Sequence, residues 1–263
     1  MRLHVRTAHA NGKTWYLSFL IGFFQSTEVR KLSWILAAKK RAASQAVDKI
    51  ESGMVLGIGS GTTTAEAIKI IGQKITNGQL SDIRGVPTSY HSIQEAVKAG
   101  IPLTTLDEYP QLDLGIDGAD QIDSNLDAIK GHGGAMLREK IVAASCKRYI
   151  LIVDETKQAN TLGTSQEVYL EVHPFSITPV LNKIIEMGAK ATVRQAAHKL
   201  GPVITDNGNN LIDALFGPIE NPRELNGKLH SVQGLIETGL FIGYADTAYI
   251  GTEFDVKEVK VKS

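Results

Sequence analysis

The chain has 263 residues with 28 Lys and Arg against 28 Asp and Glu, enough for one large core or two smaller ones and no net charge. That balance excludes a nucleic-acid binder built on a broad basic surface. The lone Cys146 excludes an intrachain disulfide and suits a reducing, cytoplasmic compartment. Residues 1–33 stand apart. Arg2, Arg6 and Lys13 precede the apolar stretch 16–24, an order like that of a signal peptide, but no small-x-small cleavage site follows. The stretch is also shorter than the roughly 20 residues that span a bilayer. We read residues 1–33 as an extension of uncertain status, and no membrane partner is expected.

From Ser33 the pattern is regular. Ala, Ile, Leu and Val alternate with Lys and Arg at helical spacing over 34–51, and Gly53 stops the helix. A short buried strand is predicted at 54–58, then a glycine-rich turn and a helix over 63–75. A strand at 83–86 leads to a helix at 89–99, closed by Gly100. Apolar runs follow at 103–106 and 112–116, then a helix at 134–145 and a strongly strand-like run at 149–153. Strands alternating with helices imply α/β architecture, a parallel sheet with helices on both faces.

The rhythm changes after residue 163. Strands are expected at 168–172, 190–194, 202–205 and 210–215, with helices at 177–187 and 221–229. Fewer crossovers suggest a small α+β unit. The run 248–251 can return as a strand to the first sheet. The expected division is 34–162 plus 246–263 for the large unit and 163–245 for the small one.

Two segments carry chemistry. Gly59-Ser-Gly-Thr-Thr-Thr64 joins a strand to a helix, where backbone N–H groups and hydroxyls would face a ligand at the positive end of the helix dipole. A dinucleotide fingerprint needs glycine at Thr62 or Thr64, and a Walker turn needs Gly-Lys-Ser/Thr. Neither is present, and the hydroxyls suit a small phosphate monoester. The competing reading is an ordinary turn with a threonine cap. Asp117-Gly-Ala-Asp120 follows an apolar strand, where open α/β sheets bind ligands. Its aspartates can do acid–base work, close an Asx-type turn or hold Mg²⁺. Lys130 in the same segment argues against the metal by neutralising them. Glu139, between Arg138 and Lys140 in a helix, has the look of a solvated surface residue. Lys157 follows the strand at 149–153, where a loop lysine is commonplace. His132 reads as positional rather than as a base, and Cys146 as core.

Together the motifs resemble those of the A-type ribose-5-phosphate isomerase family. The matching elements are Gly-Ile-Gly-Ser-Gly-Thr-Thr at 57–63, Asp-Gly-Ala-Asp at 117–120 and Lys-Gly-x-Gly at 130–133. Leu-Arg-Glu-Lys at 137–140, Asp-Glu-Thr-Lys at 154–157 and Thr-Asp-Asn-Gly-Asn at 205–209 complete the series, in the family's order and from about Leu36 onward. Each motif alone is weak, and six in register are specific. The departures are Ser60 for the usual Thr, Gln121 for Glu, and His132 for a glycine. Residues 1–33 have no counterpart.

The resemblance implies a Rossmann-like parallel-sheet domain with the site and a smaller ferredoxin-like α+β domain that contributes to oligomer contacts, in a homodimer or homotetramer. It implies reversible conversion of ribose 5-phosphate to ribulose 5-phosphate, in the non-oxidative branch of the pentose phosphate pathway, with no cofactor or metal. It makes Glu139 the proton shuttle and puts Ser60, Gly61, Thr62 and Thr63 in the substrate site. Asp117, Gly118, Ala119, Asp120, Lys130, Gly131, His132, Gly133 and Lys157 line the rest. Asp117 or Asp120 would assist ring opening or relay a hydroxyl proton, with Lys130 beside the developing oxyanion. The competing class is a sugar-phosphate sensor that binds without turnover. Such repressors carry a DNA-binding helix pair, for which the first 33 residues offer no pattern.

Overall fold

The computed structural model describes residues 34–261, so the reading of residues 1–33 lies outside the described residues. The first helix, α1, runs over 34–47. It buries Ala38, Ala42, Ala43, Ala46 and Val47, whose three- and four-residue spacing puts them on one face. The expected continuation to 51 is a turn instead.

A six-stranded sheet follows from β1 (Val55–Ile58), β2 (Arg84–Pro87), β3 (Leu114–Asp117), β6 (Tyr149–Asp154), β12 (Thr247–Gly251) and β13 (Val256–Lys260). Its order is β13-β12-β6-β3-β1-β2, parallel except for β13. β3, β6 and β12 are buried along their whole length, as strands covered on both faces must be. α1 and α2 (Thr62–Thr76) cover one face, α4 (Met136–Ser145) and the residues that follow β6 cover the other, and α3 (Tyr90–Lys98) packs on β2. α3 starts at Ser89, whose hydroxyl accepts from Ser92 N–H in a capping box.

The chain leaves β1 for β2 on one side and returns to β3 on the other. The crevice beyond the carboxyl ends of β1 and β3 is therefore a topological switch point, where doubly wound sheets bind ligands.

The second sheet holds β7 (Val168–Val172), β8 (Lys190–Val193), β9 (Asn210–Leu215) and β10 (Leu235–Thr238), with α5 (Ile177–Glu186) after β7 and α6 (Pro222–His230) after β9. Its antiparallel order β10-β7-β9-β8 with βαββαβ connectivity is the ferredoxin-like arrangement. A short sheet of β11 (Leu240–Phe241), β5 (Ala128–Ile129) and β4 (Gln121–Ile122) adjoins it in the chain, β11 following β10 directly. One apolar cluster runs from Met136 and Leu151 through Ile129 and Phe241 to Leu170 and Ile212.

One expected strand does not form. Residues 202–205 form only isolated bridges, Gln195 to Pro202 and Ile204 to Asn210, in place of a strand. Pro202 has no N–H for a ladder, and the Thr205 turn engages its groups elsewhere. The run 103–106 contributes one bridge, Gly85 to Leu103. The return of 248–251 to the first sheet holds, since β12 pairs parallel with β6.

Candidate active site

The site begins where β1 ends. A Cβ on Gly59 would lie 2.1 Å from the Asp117 carboxylate, so only glycine lets the turn close over that aspartate. The next residue, Ser60, donates its N–H to Asp117 Oδ1 at 3.1 Å. Its hydroxyl lies 2.8 Å from Thr88 Oγ1 and 2.6 Å from Ser89 Oγ, which ties the turn to the end of β2.

Asp117, the last residue of β3, is buried. Oδ1 also accepts from Gly118 N–H at 2.7 Å, and Oδ2 accepts from Tyr149 O–H at 3.1 Å. Lys130 follows β5 and brings its ammonium 3.0 Å from Asp117 Oδ2 and 2.5 Å from Gly118 O. On its other side, Glu139 Oε2 is 3.3 Å away. Glu139 sits in the first turn of α4, only 5 % exposed, despite its surface-like sequence context. Oε2 makes no aligned hydrogen bond, so its attraction to Lys130 is a matter of charge and proximity. An acceptor in that state can take a proton without first breaking a strong bond.

The electrostatics follow from burial. Desolvation pushes the Glu139 pKa up, the Asp117 charge adds to it, and Lys130 only partly opposes them, leaving the group well above the usual carboxylate range. Burial alone would lower Lys130, but Asp117 and Glu139 outweigh it and raise its pKa, so the ammonium stays charged. Burial, with Asp117 next, raises Tyr149 far above a free phenol, which keeps it a donor to Asp117. Burial pushes the Cys146 thiol up to about 12, which suits the core role expected of it rather than a nucleophile.

Around this group lies a cavity of about 310 Å³. Ser60, Gly61, Thr62 and Thr63 line it together with Lys39 and Lys157. Gly118, Ala119, Asp120, Gly131, His132 and Gly133 also line it, with Lys130 and Glu139. Of the residues expected to line the site, Asp117 alone stands behind the wall, held by its own contacts to Ser60, Gly118, Tyr149 and Lys130. Asp120 is half-buried and accepts from His132 N–H at 3.0 Å. Gly131 takes φ +111 where its chain passes Met136, a conformation that favours glycine.

Sequence reasoning missed several parts. Lys39 donates to Thr62 Oγ1 at 3.1 Å, yet in the sequence it is one more polar residue on an amphipathic helix. Glu171 is fully buried on β7, and its Oε1 accepts from Thr205 Oγ1 at 2.8 Å and from Asn207 Nδ2 and Asn209 Nδ2 at 2.9 Å each. Arg138 donates through Nε to Asn207 Oδ1 at 2.7 Å and through Nη2 to Asp206 O at 2.8 Å, so the 205–209 motif braces the helix that carries Glu139. The motif was visible in the sequence, but its partners were too distant to read.

Among the described residues no cluster of three or more His, Cys, Asp or Glu side chains could hold a metal ion, and no helix is long and apolar enough to cross a membrane.

Comparison with known proteins finds relatives over most of the chain. The family model for ribose 5-phosphate isomerase A (phosphoriboisomerase A) matches residues 84–255. The ribose-5-phosphate isomerase A of Methanosarcina acetivorans is 47% identical over 215 residues, 82% of this chain and 90% of that protein. A solved D-ribose-5-phosphate isomerase in complex with phospho-erythronic acid superposes with TM-score 0.85 at 41% identity, covering 86% of this chain and 99% of that one. The ribose 5-phosphate isomerase A of Methanocaldococcus jannaschii gives 0.82 at 38% identity, covering 85% and 98%. The chain belongs to the ribose 5-phosphate isomerase A family.

Proposed function

We propose that this cavity interconverts D-ribose 5-phosphate and D-ribulose 5-phosphate through an enediolate, as an aldose–ketose isomerase. The carrying observation is the buried row of Asp117, Lys130 and Glu139, with Lys130 3.0 Å from one carboxylate and 3.3 Å from the other. The reaction needs a base to take the C2 proton and return it to C1, and a positive group beside the oxygen that gains charge. Glu139 is the base and Lys130 the positive group. Asp120, half-buried on the cavity wall, relays the hydroxyl proton and assists ring opening. Asp117 holds Lys130 and the Ser60 turn in place from behind the wall. Conversion of ribose 5-phosphate to ribulose 5-phosphate by the purified chain, followed by NMR, tests the reading. Binding of the sugar phosphate without turnover would leave a sensor instead, which the isomerases among the relatives do not favour.

The phosphate belongs at the Ser60–Thr63 turn, where hydroxyls and a helix N-terminus meet the Lys39 ammonium, with Lys157 on the same cavity. Binding energy there positions C1 and C2 for the proton transfer. Ribose without its phosphate is therefore expected to be a very poor substrate. The double change Ser60→Ala with Thr62→Ala should narrow the gap in kcat/KM between the two sugars. A gap that does not move would put the phosphate elsewhere.

EDTA is expected to leave turnover unchanged, because the Lys130 ammonium already lies against Asp117 and Glu139. Loss of activity on chelation, restored by one divalent metal, would assign these carboxylates to an ion.

A cytoplasmic location is supported by the single, free Cys146. A homodimer or homotetramer is supported by Phe175 and Leu200, which are 94 % and 97 % exposed on the segments flanking the small sheet. Mass in solution by light scattering decides between them and a monomer.

A further inference from the structure

His132 puts an imidazole into a cradle otherwise made of glycine, and contacts outside the catalytic row hold it. Its backbone is fixed on both sides. The N–H donates to Asp120 Oδ2 at 3.0 Å, and the carbonyl accepts from Arg194 Nη1 at 2.7 Å. Arg194 is anchored in turn by Asp213, with Nε 2.9 Å from each carboxylate oxygen, and its guanidinium stacks 4.8 Å over the Tyr169 ring. The imidazole Nδ1 lies 3.0 Å from the Tyr169 hydroxyl, the two rings tilted by 58° with centroids 5.6 Å apart. The same hydroxyl accepts from Gln166 Nε2 at 2.7 Å.

Counting donors and acceptors places the ring proton. A phenol has one hydrogen to give. Gln166 supplies a hydrogen to the Tyr169 oxygen, and the remaining neighbour among the described residues that can accept the phenol's own hydrogen is His132 Nδ1. Burial, with the Asp120 charge next, pushes Tyr169 up to about 12, so the phenol keeps that hydrogen through the neutral range. An Nδ1 that accepts leaves the hydrogen of a neutral imidazole on Nε2. Nε2 has no hydrogen-bond partner among the described residues, while His132 is exposed and lines the cavity. The backbone N–H of residue 132 is engaged by Asp120, so glycine here would offer the substrate no such donor.

We propose that His132 is a neutral Nε2–H donor to the sugar hydroxyls, and that Tyr169 is the positioning residue that fixes this state by keeping Nδ1 an acceptor. The proposal rests on the reading of the cavity as the isomerase site. It makes the imidazole a binding group whose chemistry is hydrogen donation, with Glu139 still the only base.

The test uses the full chain with ribose 5-phosphate and the variants His132→Gly, His132→Asn, His132→Gln and Tyr169→Phe. A glutamine amide nitrogen reaches about where Nε2 stands, and an asparagine one about where Nδ1 stands. The expected result is a KM raised about 3–10-fold in His132→Gly and His132→Asn with kcat within about twofold, the loss of one neutral hydrogen bond. His132→Gln restores most of the loss. Tyr169→Phe raises KM by a smaller factor and adds nothing when combined with His132→Gly, because both changes remove one unit. The ¹⁵N spectrum of the wild-type protein shows the His132 hydrogen on Nε2, and in Tyr169→Phe part of it moves to Nδ1. An unchanged KM in His132→Gly overturns the proposal, whatever the melting temperature does. So does a His132→Asn variant as good as His132→Gln, or a wild-type ring protonated at Nδ1. Glu139→Gln separates this failure from failure of the site itself. Normal turnover there removes the isomerase reading of the cavity, whereas an inactive Glu139→Gln beside an unaffected His132→Gly removes only the donor.

Discussion

Glu139→Gln is expected to lower kcat by about 10²–10⁴ while changing substrate affinity only a few fold, the usual range for a positioned acid–base group. The amide keeps the shape of the side chain and its place in the first turn of α4, and it loses the ability to hold a proton. The change removes the Glu139 charge from the row, but Lys130 keeps Asp117 as its partner at 3.0 Å, so no buried charge is left unpaired. The melting temperature should therefore stay near that of the wild type, and removal of a buried charge beside Asp117 can even raise it. The pH dependence follows from the same burial. Glu139 must be ionised to take the C2 proton, and its pKa is raised by desolvation and by Asp117. Activity is then expected to climb with pH well above the 4–5 range where an ordinary glutamate would already be ionised. An acid limb in the ordinary glutamate range would show that Glu139 is not the base. Full turnover by the Gln variant would return it to the surface role its neighbours suggest.

The parts of this protein that were legible in the sequence are those whose causes are local. The glycine turn after β1 and the Asp-Gly-Ala-Asp turn after β3 announce themselves because glycines and carboxylates at strand ends are rare without a reason. Both lie where the sheet order reverses. The alternation of strands and helices through residue 154 gave the parallel sheet, and β7, α5, β8 and β9 gave most of the second. What stayed hidden depends on distant partners. Leu-Arg-Glu-Lys looks like a solvated helix turn, yet Glu139 and Lys140 are both buried. Lys140 reaches Glu237 at 2.7 Å, almost a hundred residues on, and no periodicity forecasts that pairing. β13 drew no expectation because an exposed edge strand carries lysines rather than a buried apolar run, and β4, β5 and β11 are two residues each, too short for any pattern. The Thr205–Asn209 motif was conspicuous, but that it folds onto Glu171 and Arg138 follows only from the three-dimensional packing.

Lys130→Met should be more damaging than any change at the cavity rim, and in two separable ways. The methionine fills most of the same volume but leaves Asp117 and Glu139 buried near one another with no countercharge. Removing one partner of a buried ionic group costs about 3–5 kcal/mol, because the remaining charge stays desolvated and unpaired. The molecule can relieve this by keeping Glu139 protonated. A carboxylate whose folded pKa is raised favours the fold below its unfolded value and loses that advantage as pH rises through the folded one. The stability deficit of the variant should accordingly be small in mildly acidic solution and grow as pH increases toward and past neutrality. The catalytic loss has its own sources. A protonated Glu139 cannot act as base, and the enediolate oxygen loses its cation, which alone is worth about 10²–10³ in kcat. Turnover should fall by at least about 10³ even under mildly acidic conditions where the variant is folded. Melting curves and single-turnover rates measured across pH separate the two effects. A variant that melts like the wild type at every pH and turns over within about tenfold of it would show that the Asp117–Lys130–Glu139 row organises neither the fold nor the chemistry.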